Sequence, residues 1–145
     1  MFKRKFKKTS GFDSIIAPGV SITGGVLLLP PSGVHVVNCT MLDVDYIGET
    51  DGAGEKNSLM SELSGETTLI VNTGANLTFT KLANIAVSNL DVFGSITGDE
   101  VNLHIPGVLT LRKGCILRAS TISYGELRIE EGAIVNGKLQ YYSNV

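Results

Sequence analysis

At 145 residues, with 43% hydrophobic and 18% charged residues, the chain is long enough for one packed core and too short to suggest two domains. No apolar run reaches the about 18 residues of a membrane-spanning helix. The basic opening is not followed by a hydrophobic region with a small-residue cleavage site, so no secretory signal is expected either. Seventeen glycines against four prolines, with no tryptophan, point to many tight bends, and the prevalence of Val, Ile and Leu suits strands.

Residues 1–14 read as a disordered tail and linker. Phe2, Lys3, Arg4, Lys5, Phe6, Lys7 and Lys8 interleave five positive charges with two aromatic rings. Without those five, the rest of the chain has 7 Lys and Arg against 14 Asp and Glu, so the net charge of −2 conceals a basic end on an acidic body. Near an anionic leaflet each Lys or Arg gains about 1 kcal/mol, and a phenylalanine fully buried among acyl chains adds roughly 1.5–3 kcal/mol. These seven residues are therefore the candidate membrane contact. Nucleic acid is the rival ligand for such a segment, but the acidic body repels a polyanion, and no nucleic-acid partner is expected.

Ile15 to Val26 opens the first coil of a repeat. Pro30-Pro31 ends its last strand, because proline cannot donate to a ladder, and Ser32-Gly33 turns the chain. A Gly-apolar-x-apolar unit follows Gly19, Gly33, Gly74, Gly114 and Gly132. Residues 40–66 break the rhythm. Seven carboxylates there, from Asp43 to Glu66, accompany the single basic Lys56, and the segment reads as an acidic loop inserted in the repeat. Its opening D-V-D-Y-I-G departs from a calcium loop, since Ile47 takes a ligand position and Gly54 stands where a bidentate Glu is required.

From Thr67 onward, apolar residues alternate. The inward set runs Leu69, Val71, Ala75, Leu77, Leu82, Ile85, Val87, Leu90, Val92, Ile96, Val101, Leu103, Ile105, Leu109, Leu111, Cys115, Leu117 and Ile122. Leu69, Leu90, Leu109 and Leu127 are separated by 21, 19 and 18 residues. Leu127 to Leu139 is the last full copy, and residues 140–145 form a short tail. Cys39 and Cys115 show no metal or redox spacing and read as small buried hydrophobes.

A period of about 18 with three short strands per turn describes a single-domain parallel β-helix over residues 15–139, an all-β solenoid of about six coils. A β-sandwich would need hairpin dipeptides, and Asn136-Gly137 is the one Asn-Gly or Asp-Gly outside the acidic loop. The hexapeptide left-handed helix would want strict six-residue spacing; eighteen is three sixes, so period alone leaves the hand open, while the loose corners favour right-handed.

The residues for catalysis are sparse. His35 and His104 each lie between aliphatics whose alternation turns them outward, away from other ligand types. Glu130 and Glu131 point to opposite faces of a strand. Gly24-Gly25 is not followed by the Lys-Ser/Thr of a phosphate loop. The body reads as non-catalytic, with no cofactor and no metal. The alternative is a carbohydrate-binding module or an acyltransferase-like enzyme on a β-helix, with His104 as its one candidate base.

A solenoid exposes unpaired backbone on its first and last coils, and a polar cap normally covers them. No amphipathic capping helix is apparent, and Tyr141 and Tyr142 add aromatic surface at the far end. Such ends invite end-to-end polymerisation; two tyrosines folded back as a plug are the rival arrangement.

The stretches I-I-A-P-G-V-S-I-T-G at 15–24, V-F-G-S-I-T-G-D at 92–99 and L-R-I-E-E-G-A-I-V-N-G-K-L at 127–139 carry a likeness that covers most of residues 15–139. The chain resembles the bactofilins, a family of polymer-forming bacterial cytoskeletal proteins. That resemblance implies a right-handed β-helix of triangular section and nucleotide-independent, non-polar filaments joined by like-to-like end contacts. It also implies attachment to the inner face of the cytoplasmic membrane through a basic, aromatic N-terminal stretch, a cytoplasmic location, and a scaffold for client proteins such as cell-envelope or cell-wall enzymes. The expected assembly residues are Ile16, Val20 and Ile22 at one end, and Val135, Leu139, Tyr141 and Tyr142 at the other. The acidic segment 40–66 and the short C-terminal tail depart from the family's compact repeat.

Overall fold

The computed structural model describes residues 14–16 (backbone only), 21–30, 32–49 and 66–141. Every regular element among them is a strand, and every strand pairing is parallel. The strands form three ladders, visited in turn. The first contains β1 (Ser14–Ile16), β4 (Ser32–Val37), β7 (Glu66–Val71), β10 (Asn89–Val92), the second half of β12 (Val101–Leu111) and the end of β13 (Ile116–Ile129). The second contains β2 (Ser21–Thr23), β5 (Thr40–Leu42), β8 (Asn76–Phe79), β11 (Ser95–Gly98) and the starts of β13 and β14 (Ile134–Tyr141). The third contains β3 (Val26–Leu29), β6 (Tyr46–Glu49), β9 (Ala83–Ala86), the start of β12, the middle of β13 and the end of β14.

Each ladder is thus six strands deep, which is about five turns from first rung to last. The molecule is a parallel β-solenoid. At roughly 4.8 Å between paired strands, five steps place the two ends about 24 Å apart.

The alternating pattern sets which side chains fill the column. Leu69, Leu90, Leu109 and Leu127 are partners in direct register, as the spacings of 21, 19 and 18 residues require. Ile47, Ile85, Leu103 and Ile122 stack likewise in the third ladder, and Met41, Leu77, Ile96 and Leu117 in the second. All are buried. The expected inward set is buried with one exception: Leu82 is exposed at a corner, and Ala83 takes the inward place beside it. Cys39 and Cys115 are free thiols in this core, and burial pushes both pKa values up, which keeps them protonated.

One corner recurs almost unchanged. Ala75, Cys115 and Ala133 each donate a backbone hydrogen bond to the residue three before, at 3.0, 3.0 and 3.1 Å. The intervening Gly74, Gly114 and Gly132 have φ of 89°, 85° and 96°, the positive φ that a type II turn demands at its third position. Another corner needs glycine for space: a Cβ on Gly125 would lie 2.0 Å from the Pro106 carbonyl oxygen.

Two expectations change. Residues 40–49 belong to the solenoid, as strands Thr40–Leu42 and Tyr46–Glu49, and Glu66 opens β7, so these residues are not loop; residues 50–65 lie outside the described residues. His35 is not outward. It is in register with Leu69, on the core side, and only 2% exposed.

Candidate functional site: the open end of the solenoid

The last described rung differs from every rung beneath it. Its inward residues are Leu127, Ile129, Ala133, Val135 and Leu139, whose register partners one turn earlier are Leu109, Leu111, Leu117 and Ile122, with Cys115 beneath Ala133. Those five are fully buried. In the last rung Ile129 is 48% exposed and Leu139 40%, while Leu127, Ala133 and Val135 are half-buried. The chemistry at each station is unchanged; among the described residues no further strand stacks on this rung. Among the described residues β14 pairs with β13 alone, so its outer edge is unpaired strand backbone beside exposed aliphatics.

Tyr141 extends this surface. It sits in register with Tyr124, their rings meeting edge to face at 6.2 Å between centroids, and is 70% exposed. The ring is therefore fixed on one side and bare on the other, the profile of an aromatic contact residue.

A polar staple holds the rung in place. The Arg112 guanidinium donates from Nε and Nη2 to the Asp91 carboxylate at 2.7 and 2.8 Å, and from Nη1 to Glu130 at 3.1 Å. It also lies 5.2 Å from the Phe93 ring centroid, a cation–π distance. The bidentate pair and the third bond tie three successive turns together, raising the Arg112 pKa. Glu130 also accepts the Lys113 backbone N–H at 2.8 Å; that bond, then Arg112, lowers its pKa. The last rung is thus tied by side chains to the two turns beneath it.

The expected assembly residues fall into two groups. Ile22 and Val135 occupy the same station at opposite ends of the second ladder, and both are half-buried. Ile16 lies in the first rung, paired with Val37. Leu139 and Tyr141 are exposed on the last rung, as described. Val20, Tyr142 and the whole basic segment Phe2, Lys3, Arg4, Lys5, Phe6, Lys7 and Lys8 lie outside the described residues. The sequence-based contact set omits Ile129; membership of the last rung, on its inward side, is the signal that finds it.

The remaining candidate, His104, keeps its outward station between Ala86 and Ser123 but is 8% exposed, correcting its reading as a surface residue. Near it along the third ladder is a buried carboxylate the sequence did not flag. Glu49 stands in register with the buried Leu29 and accepts a hydrogen bond from Ser88 Oγ at 2.6 Å. The Tyr46 ring crosses over Gly48, where any Cβ would meet its hydroxyl at 2.7 Å, and that hydroxyl donates to the Glu49 carbonyl at 3.1 Å.

Desolvation first, and the Glu49 charge second, push the Tyr46 pKa from 10 up to about 12. The raised value means the folded state holds its proton longer than the unfolded chain. Stability from this group is full below pH 10 and is lost as pH rises to about 12. A two-unit shift is worth about 2.7 kcal/mol, roughly halved for a half-exposed ring. Denaturant titrations should show this alkaline fall in the wild type and its absence in Tyr46→Phe; equal falls would remove the assignment.

Comparison of the chain with protein-family models, with curated proteins and with solved structures finds no match.

Proposed function

We propose that this chain is a structural scaffold protein, of the bactofilin kind, that assembles end to end without nucleotide into non-polar filaments. The single observation behind this reading is the last rung, where Ile129 and Leu139 stand exposed at stations that are fully buried one turn below. Covering Leu127, Ile129, Val135 and Leu139 gains about 1 kcal/mol each, since all are already partly buried. Two like ends then offer about 8 kcal/mol, and each new backbone hydrogen bond adds roughly 1 kcal/mol. Association costs about 4–15 kcal/mol, so the contact is a concentration-dependent one, suited to a reversible polymer. A right-handed winding of triangular section belongs to the same proposal.

Negative-stain microscopy of the purified protein in nucleotide-free buffer tests it. Filaments are the expected result; monomers at high concentration would end the reading.

The proposal places the filaments on the inner face of the cytoplasmic membrane, with residues 2–8 as the contact and cell-envelope enzymes as the class of client. One copy of that segment binds weakly and reversibly, whereas a filament presents many copies together. Deleting residues 2–8 should release the protein from anionic liposomes in co-sedimentation while leaving filaments intact. Unchanged co-sedimentation would remove the membrane assignment and leave the polymer untouched.

A further inference from the structure

The outer surface of the second ladder changes character near the open end. One outward station carries Ser21, Thr40, Asn76, Ser95, Ile116 and Ile134 in unbroken register. Four turns of small polar residues give way to two isoleucines. Ile116 is 41% exposed and Ile134 58%, and neither serves the core, which Leu117 and Val135 fill from the same strands. Polar residues at this station are compatible with the fold, as four rungs demonstrate, so the isoleucines are not a requirement of the solenoid. Val26 and Leu28, an exposed aliphatic pair on one strand, lie at the opposite end on the third ladder.

We propose that Ile116 and Ile134 form a lateral contact strip whose partner is the same strip on a second copy of this chain, lying alongside in a neighbouring filament. The inference rests on the filament reading above. The area argues for a repeated partner. Two half-exposed isoleucines offer on the order of 200 Å², far below the about 1,200–2,000 Å² of a specific interface. No single partner is held by such a strip, but filaments in parallel contact repeat it at every protomer and bear the orienting cost together. The rim decides what chemistry can face it. On one side Arg118 pairs with Asp99; on the other lie Lys113, Glu130 and Glu131 around an open depression. A rim with both signs accommodates a second copy of itself, whereas an anionic lipid surface would meet Asp99, Glu130 and Glu131.

The test compares wild type, I116S/I134S and V26S/L28S by electron microscopy and low-speed pelleting, with circular dichroism as the check on folding. I116T/I134N, which borrows residues from other rungs of the same station, serves if the first variant fails to fold. The expected result is wild-type filaments that associate side by side, and I116S/I134S filaments of normal length with lateral association reduced at least about tenfold; V26S/L28S should behave as wild type. Single wild-type filaments, or bundles unaffected by I116S/I134S, would overturn the strip while leaving the filament reading intact. Loss of filaments altogether in I116S/I134S would assign the isoleucines to the end contact instead. Dependence on V26S/L28S as well would replace the strip-to-strip contact with a patch-to-patch one, and loss of liposome binding alone would point to lipid; either overturns it. Wild type that forms no filaments at any concentration defeats the reading on which the strip rests.

Discussion

Leu139→Glu is expected to abolish filaments while leaving a folded solenoid. Leu139 is an inward residue of the last rung, in register with the buried Ile122, and is 40% exposed in the isolated chain. In the isolated chain a glutamate there can turn its carboxylate to water, so the protein itself should lose about 1 kcal/mol or less. In a like-to-like joint the same carboxylate is buried without a partner, and the two-fold operation brings two of them into one contact. Each forfeits the leucine's contribution and adds a desolvation cost, for a combined penalty of about 6 kcal/mol or more. At 1.4 kcal/mol per decade, that raises the assembly threshold by about 10⁴-fold. Sedimentation and microscopy should show no polymer at concentrations where the wild type is filamentous, with an unchanged strand spectrum. Leu139→Met, which conserves volume and polarity, should polymerise normally. Filaments of L139E near the wild-type threshold would mean that this end is not the joint.

The second large effect is on the fold itself. Leu90→Ala should destabilise the protein by about 3–5 kcal/mol, at the upper part of the range for buried leucines. Leu90 sits between Leu69 and Leu109 in one column, and all three are buried. The neighbours cannot move together to fill the void, because each is fixed by parallel backbone ladders on both sides. Leu127→Ala removes the same side chain from the same column at its open end, where Leu127 is only half-buried. The cost there should be about 1–1.5 kcal/mol, since one flank already faces solvent. Urea denaturation of the two variants provides the measurement. Equal losses at Leu90 and Leu127 would show that the column does not act as a stack of rungs coupled to their nearest neighbours.

Much of the architecture was legible because the solenoid makes long-range contacts periodic in the sequence. In the column of Leu69, Leu90, Leu109 and Leu127 the partners recur at intervals of 18 to 21, so these leucines announced their own register. The corners were equally readable at Gly74, Gly114 and Gly132, where a positive φ excludes most other residues.

What local pattern could not provide is the phase of a strand whose two faces are both apolar. In Val34-His35-Val36-Val37, alternation alone permits either face to be the inner one. Pairing of His35 with Leu69 decides it, and a histidine that alternation places in solvent lies in the core. The same limit applied to residues 40–49. Asp43, Asp45, Gly48 and Glu49 resemble a loop, yet Met41 and Ile47 supply buried stations and the stacking of turns above and below keeps Thr40–Leu42 and Tyr46–Glu49 in strands. A weak local preference is overridden when both neighbouring rungs offer hydrogen bonds.

The sequence by itself therefore determined the repeat, its inward aliphatic column and its glycine corners, because each depends on spacing along one chain. Tertiary structure alone decided the rest. It buried the Glu49 carboxylate in register with Leu29 and against Ser88. It drew Asp91, Arg112 and Glu130 from three turns into one staple. It left Ile129 and Leu139 exposed where their counterparts one rung earlier are sealed. Residue identity at those stations is nearly constant along the solenoid, so exposure there is set by the presence or absence of a next coil, a property of position in the stack that no single repeat encodes.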